Sequence, residues 1–324
     1  MKLAIRTGLL VGVGVMIALI LHGGAAQILD LLGRASWLLL WLVPLRTLPI
    51  ALDAMGWSAL LAGDSPFLRL FWIACIRDAI NRLLPVASVG GEFVGVGLLA
   101  RTGVDKARAA ASVVVEILMT LVSQYLFVVI GVVCILYSSG AVPLTVNLAV
   151  GLAVSLPVIV LLIALLRYGA VFGPLQRIGA RMLGGLTHPA LAGAGSADID
   201  EAVRSLSRAH PLLVRALLWQ LGGLIAGSAE TWFALRWLGA PVGIAEALAL
   251  ESLTQAVRSF IFLVPAGIGV QEVSLVEFGR VLGLAPDMAL ALSLAKRMRE
   301  ILFGVPVLIA WQWIEGRRGF AGRR

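Results

Sequence analysis

Two glutamates sit where charge is costly. Glu92 and Glu272 each follow a proline by seven residues, Pro85 and Pro265, within stretches that are otherwise largely apolar. A charged side chain inside a membrane-depth span costs about 2.5–3.5 kcal/mol, so each carboxylate needs a partner, a wet cavity or a helix end. Three roles are open to them: binding a coupling proton or cation, keeping a path open for a polar head group, or capping the helix that leaves the break. Arg77, Arg82 and Arg258 are candidates to hold an anionic group, because a guanidinium offers a planar donor fork. Snorkelling to the membrane surface is the alternative reading of these arginines. Asn81, Gln255 and Gln271 extend this candidate substrate or ion path. Glu116 and Lys296, with Arg297 beside it, predict an ion pair between two distant parts of the chain.

Other chemistries find no footing. Cys75 and Cys134 lie far apart in apolar stretches, and His22, His188 and His210 have no ligand spacing. No Ser/His/Asp set is available at membrane depth, so the expectation is a non-enzyme with no metal and no cofactor.

The elements that carry these residues follow from composition. Of 324 residues, 60% are hydrophobic and 14% charged, with a mean hydropathy of +0.98. Soluble domains carry roughly 25% charged residues, so the bilayer is the solvent. Backbone groups in lipid must be satisfied internally, and long apolar runs satisfy them as helices. The +8 charge gathers at the ends of apolar segments, which suits anionic head groups and argues against a nucleic-acid partner.

Six full spans are expected: Leu3–Leu29, Trp37–Leu61, Ala109–Tyr137, Leu144–Leu166, Leu212–Leu238 and Pro286–Ile314. Lys2 and Arg6 before an apolar run also resemble a signal peptide, but the run is long enough to span. A short turn is expected around Asp30 and Arg34. Two broken hairpins, Phe67–Leu99 and Val242–Val281, have tips at Pro85, Gly90 and Gly91 and at Pro265, Gly267 and Gly269; each is re-entrant or a pair of full spans. The 167–211 interval reads as a cytoplasmic loop with an interfacial helix. The division is therefore 1–166 (repeat core 37–137), the 167–211 loop, 212–316 and a basic tail at 317–324. Basic residues place both termini, the 101–108 connection and the loop in the cytoplasm.

An ungapped offset of 180 residues lays Pro85 on Pro265, Glu92 on Glu272, Gly103 on Gly283 and Trp57 on Trp237. Trp37–Leu61 and Leu212–Leu238 then run in opposite directions by the charge rule. The expected fold is all-α and polytopic, with two inverted-topology repeats, a transporter arrangement that puts broken helices near mid-membrane.

The stretch R77-D-A-I-N-R-L-L-P-V-A-S-V-G-G-E92, with Gly103 and Glu116 after it, resembles the lysylphosphatidylglycerol-synthase transmembrane (flippase-like) family. The block V264-P-A-G-I-G-V-Q-E272, followed by Gly283 and Arg297, resembles that family's second motif. The likeness covers nearly the whole chain and is closest in character to the hopanoid-biosynthesis-associated members. It implies translocation of a polar or anionic membrane lipid across a bacterial inner membrane. The chain ends at Arg324, so lysyl transfer is not expected. The rival readings are an assembly factor that docks lipid-synthesis enzymes and an ion-coupled carrier of a small soluble solute.

Overall fold

The computed structural model describes residues 25–84, 90–139, 142–168, 196–260 and 267–321. The first expected span mostly precedes these residues, and Pro85, Pro265 and 169–195 also lie outside them. Among the described residues every regular element is a helix, as apolar segments that must satisfy their own backbone require. In chain order they are α1 (Ala25–Leu39), α2 (Leu42–Leu61), α3 (Phe67–Leu83), α4 (Gly90–Ala100), α5 (Lys106–Ser139) and α6 (Val142–Tyr168). After them come α7 (Ser196–Arg208), α8 (His210–Trp237), α9 (Ile244–Phe260), α10 (Val270–Val281) and α11 (Pro286–Ala321). This is the architecture of a polytopic membrane protein.

Among the described residues three helical segments are long and apolar enough by themselves to cross a membrane, Trp37–Leu61, Lys106–Ser138 and His210–Trp237, and each overlaps an expected span. Helix α11 has the length, at 36 residues, but carries Lys296, Arg297, Arg299 and Glu300 in its middle. It turns these side chains inward, where Lys296, Arg299 and Glu300 are buried. Helices α3 and α9 have 17 residues each. At about 1.5 Å per residue α3 rises about 25 Å, short of a bilayer core of about 30 Å.

At the 180-residue offset, Lys106 at the start of α5 falls on Pro286 at the start of α11. Gly103 and Gly283 close α4 and α10 with φ of 96° and 78°, a left-handed turn that only glycine adopts freely. Packing partners exchange between the halves: α3 lies on α11 while α9 lies on α5, and α2 packs on its counterpart α8. The α2–α8 crossing is close because an added Cβ at Gly56 would stand 3.2 Å from the Ala216 carbonyl, and one at Gly223 3.2 Å from that of Pro49.

Three local expectations change. Asp30 and Arg34 do not make a turn; α1 runs through them, and they form an i,i+4 ion pair of 2.6 Å on its exposed face. The chain turns instead at Leu40–Trp41, where Leu40 N–H donates to the Trp37 carbonyl at 3.2 Å. Within the 167–211 loop the described helix is α7, and its apolar side is docked on protein. Ile199 and Val203 join Trp57, Val113 and Ala216 in one buried cluster. Its strong amphipathicity fits either a membrane surface or a protein groove, and only packing separates the two.

Gly90 and Gly91, expected at a hairpin tip, lie within the described part of helix α4. A Cβ at Gly91 would stand 2.6 Å from the Arg77 carbonyl oxygen, a backbone atom that cannot swing away. Gly91→Ala is expected to destabilise the protein by about 1–3 kcal/mol, the usual cost of overpacking. Thermal unfolding in detergent checks this, and a parental melting temperature would refute the close approach.

Candidate functional site

A cavity of about 230 Å³ lies between the two halves. Arg46, Asp53, Arg77, Asp78, Arg82 and Glu92 line it from the first half, and Glu230, Glu251, Gln255, Arg258, Lys296 and Arg299 from the second. In a chain with only 14% charged residues, such a concentration of ionic groups marks the one place among the described residues where a strongly polar guest is matched.

Arg77 organises the first half. Its Nη1 donates to both carboxylate oxygens of Glu116 on α5, at 3.0 and 2.8 Å, and its Nη2 donates to Glu92 on α4. The guanidinium carbon also sits 4.7 Å from the centre of the Trp57 ring on α2. One side chain of α3 therefore ties three other helices. Gly95 makes room for it, because a Cβ there would lie 2.7 Å from Arg77 Cδ. Asn81 supports the arrangement: its amide donates to Glu92 at 3.2 Å and its carbonyl oxygen accepts from Gly91 N–H at 2.9 Å, capping α4.

A second network joins the halves. Asp78 accepts from Arg46 at 2.5 Å and from Arg82 at 2.7 Å, and Arg82 reaches across to Glu300 on α11 at 2.9 Å. Arg297 donates to Glu300 at 3.3 Å and to Glu272 at 3.4 Å. In the second half Lys296 pairs with Glu251, which also accepts from Thr231 at 2.5 Å. Arg299 donates to Glu230 at 2.8 Å, both fully inside.

These contacts correct one expected pair and divide another. Glu116 and Lys296 do not meet: Glu116 is held by Arg77 and Lys296 by Glu251, each within its own half. The ion pairs that join the halves are Arg82–Glu300, in the interior, and Arg101–Glu315, near the surface. Glu92 and Glu272, expected to share the cavity, have different work. Glu92 lines it. Glu272 is 1% exposed and accepts from Gly269 N–H at 2.7 Å and Ser293 Oγ at 2.9 Å, which caps α10. The offset carries Arg77 onto Val257, so Glu272 has no counterpart of the arginine that holds Glu92.

Of the other expected path residues, Asn81, Arg82, Gln255 and Arg258 line the cavity. Gln271 stands behind it, accepting from Arg258 Nη1 at 2.7 Å and donating to Ser293 at 2.8 Å. Of the second hairpin's tip, Gly267 packs beneath Arg258, where a Cβ would lie 3.0 Å from Nε, and Gly269 precedes α10. Arg46, Asp53 and Gln220 were not foreseen. Arg46 and Asp53 interrupt the apolar run of α2, and an intramembrane charge is itself a signal; Gln220 carries no such mark. Among the described residues no group of three His, Cys, Asp or Glu could hold a metal ion.

The family described as lysylphosphatidylglycerol synthase TM region matches residues 5–307 of the chain. No curated protein and no solved structure matches it.

Proposed function

The chain belongs to the lysylphosphatidylglycerol synthase TM-region family of membrane proteins, and on that footing we propose that it is a carrier that moves the polar head of a membrane lipid through the central cavity. A lipid crosses between leaflets slowly because its head must leave water for hydrocarbon, where unpaired polar groups cost several kcal/mol. A protein lowers that barrier by offering polar partners along the way while the acyl chains stay in lipid. The observation that carries the reading is the charged cavity between the halves, lined by both. The exchange of packing partners between halves supports alternating access, with each half rocking against the other.

The reading places the protein in a bacterial inner membrane with both termini cytoplasmic, as a carrier and not an enzyme. Most of the ionic groups around the cavity are engaged with one another in pairs, an arrangement for solvating a guest rather than for activating a nucleophile. Lipid-synthesis enzymes are partners in the assembly-factor alternative. Deleting all of 167–211 would not separate that alternative from transport, since the deletion strips α7 from the buried cluster.

The experiment is reconstitution into vesicles containing a trace of tail-labelled fluorescent phospholipid, with a membrane-impermeant quencher outside and with or without an imposed proton gradient. Protein-dependent loss of the inner-leaflet signal is expected. Signals equal to those of protein-free vesicles under every gradient, for anionic and zwitterionic lipids alike, would overturn the reading.

A further inference from the structure

We propose that the head group taken by this cavity is zwitterionic, with its anionic group held at Arg258 and Arg299 and its ammonium held at Asp53 and Gln220. The proposal rests on the carrier reading above and names the substrate class of the same site. Every charged residue lining the cavity is in an ion pair except two, and those two have opposite signs.

Arg258 is the cation. Its Nη1 donates to a neutral amide, Gln271 Oε1, at 2.7 Å, and its Nε lies over Gly267. Gln271 is braced in turn by Ser293. The guanidinium is thus fixed from behind by uncharged groups, and its charge stays available to a guest. Arg299 adds a donor on that side: Nε is engaged by Glu230, while Nη1 is buried without a hydrogen-bond partner. A guanidinium with spare N–H groups is the usual partner of a phosphate.

Asp53 is the anion. It lies on α2, lines the cavity, and makes no hydrogen bond or ion pair among the described residues. Gln220 on α8, 3% exposed, lines the same cavity. The two are brought close by the glycines of the α2–α8 crossing: a Cβ at Gly56 would lie 3.2 Å from Gln220 Cγ, and one at Gly223 3.8 Å from the Asp53 nitrogen. Gln220 Nε2 donates to the Glu116 carbonyl at 3.4 Å, which sets the amide orientation, since the reverse would oppose two oxygens. Its Oε1 is left buried with no donor. A carboxylate and an orphaned amide oxygen are both acceptors, and a primary ammonium brings three N–H donors and a positive charge. An anionic head without an amine satisfies Arg258 and leaves Asp53 bare; a purely cationic head does the reverse.

The test measures binding to the purified full chain in detergent, using dihexanoyl phosphatidylethanolamine, dihexanoyl phosphatidylglycerol and free phosphoethanolamine as probes. The ethanolamine lipid is expected to bind about tenfold more tightly than the glycerol lipid, the scale of one charge-assisted hydrogen bond. Asp53→Asn should erase that preference by weakening the ethanolamine lipid alone, and Arg258→Gln should weaken both lipids. Equal or tighter binding of the glycerol lipid to the parent protein overturns the proposal without any variant, and leaves the carrier reading standing if that lipid is moved. Equal weakening of both lipids by Asp53→Asn also overturns it. Phosphoethanolamine binding as tightly as its lipid would keep the head-group chemistry and reject the lipid, and no binding of any probe would reject both.

Discussion

Arg77→Met is expected to cost about 3–5 kcal/mol of stability, the range seen when one partner of a buried ion pair is removed. The cost comes from what remains. Glu116 is 1% exposed, and with Arg77 gone both it and Glu92 would lack their cation, while Trp57 would lose the charge over its ring. Lysine should rescue poorly, because its compact ammonium cannot fork between the two carboxylates and lie flat on the indole at once. Neutralising the carboxylates together, as Arg77→Met with Glu92→Gln and Glu116→Gln, should recover much of the loss, since no uncompensated charge is left. Thermal unfolding of purified protein in detergent reads all three variants. A parental melting temperature for Arg77→Met would mean that water screens the cluster, and the account of α3 as the tie between α2, α4 and α5 would fall.

Plugging the cavity should stop transport and leave the fold intact. Gly227 lines the cavity, and a Cβ placed there meets nothing within 4 Å. Phenylalanine, a bulky aromatic side chain, would intrude on a space of only about 230 Å³. Folding should not suffer, because replacing a mid-helix glycine commonly returns about 0.5–1 kcal/mol. Lipid movement in vesicles is expected to fall by an order of magnitude at matched protein levels, with the melting temperature unchanged or raised. Gly222→Phe is the control: its Cβ is equally unobstructed, but it does not line the cavity. Undiminished movement in the Gly227 variant would show that the head group travels elsewhere.

The sequence carried much of the fold because the relevant signals are local. Hydropathy averaged over about 20 residues reports a span wherever it lies. The offset of 180 residues aligned the starts of α5 and α11, and it matched two glycines that prove to share a positive φ. Hydropathy failed at α1, where Asp30 and Arg34 looked like a polar turn yet satisfy each other one helical turn apart. It was ambiguous at α7, since an amphipathic face is the same whether it meets lipid or protein.

The candidate site was legible as a set of residues and illegible as a set of contacts. An intramembrane charge announces that it needs a partner, and Glu92, Arg77, Arg82 and Arg258 were all found that way. Which partner it takes depends on the rotation and tilt of one helix against another, and a turn of about 100° per residue separates facing the cavity from facing a neighbour. Repeat symmetry misled here. It laid Glu116 on Lys296 and suggested that they meet, whereas α3 brings Arg77 to Glu116 and α9 brings Glu251 to Lys296. It also made Glu92 and Glu272 look equivalent, although Arg77 has only Val257 as its counterpart. By itself, the sequence determined a helical membrane protein with ionic groups set within its apolar stretches. The tertiary structure alone decided that Glu92 joins an ion-paired cavity while Glu272 caps a helix, and that Asp53 and Arg258 remain unpaired, because side chains reach only a few ångströms and packing sets which of them come within that reach.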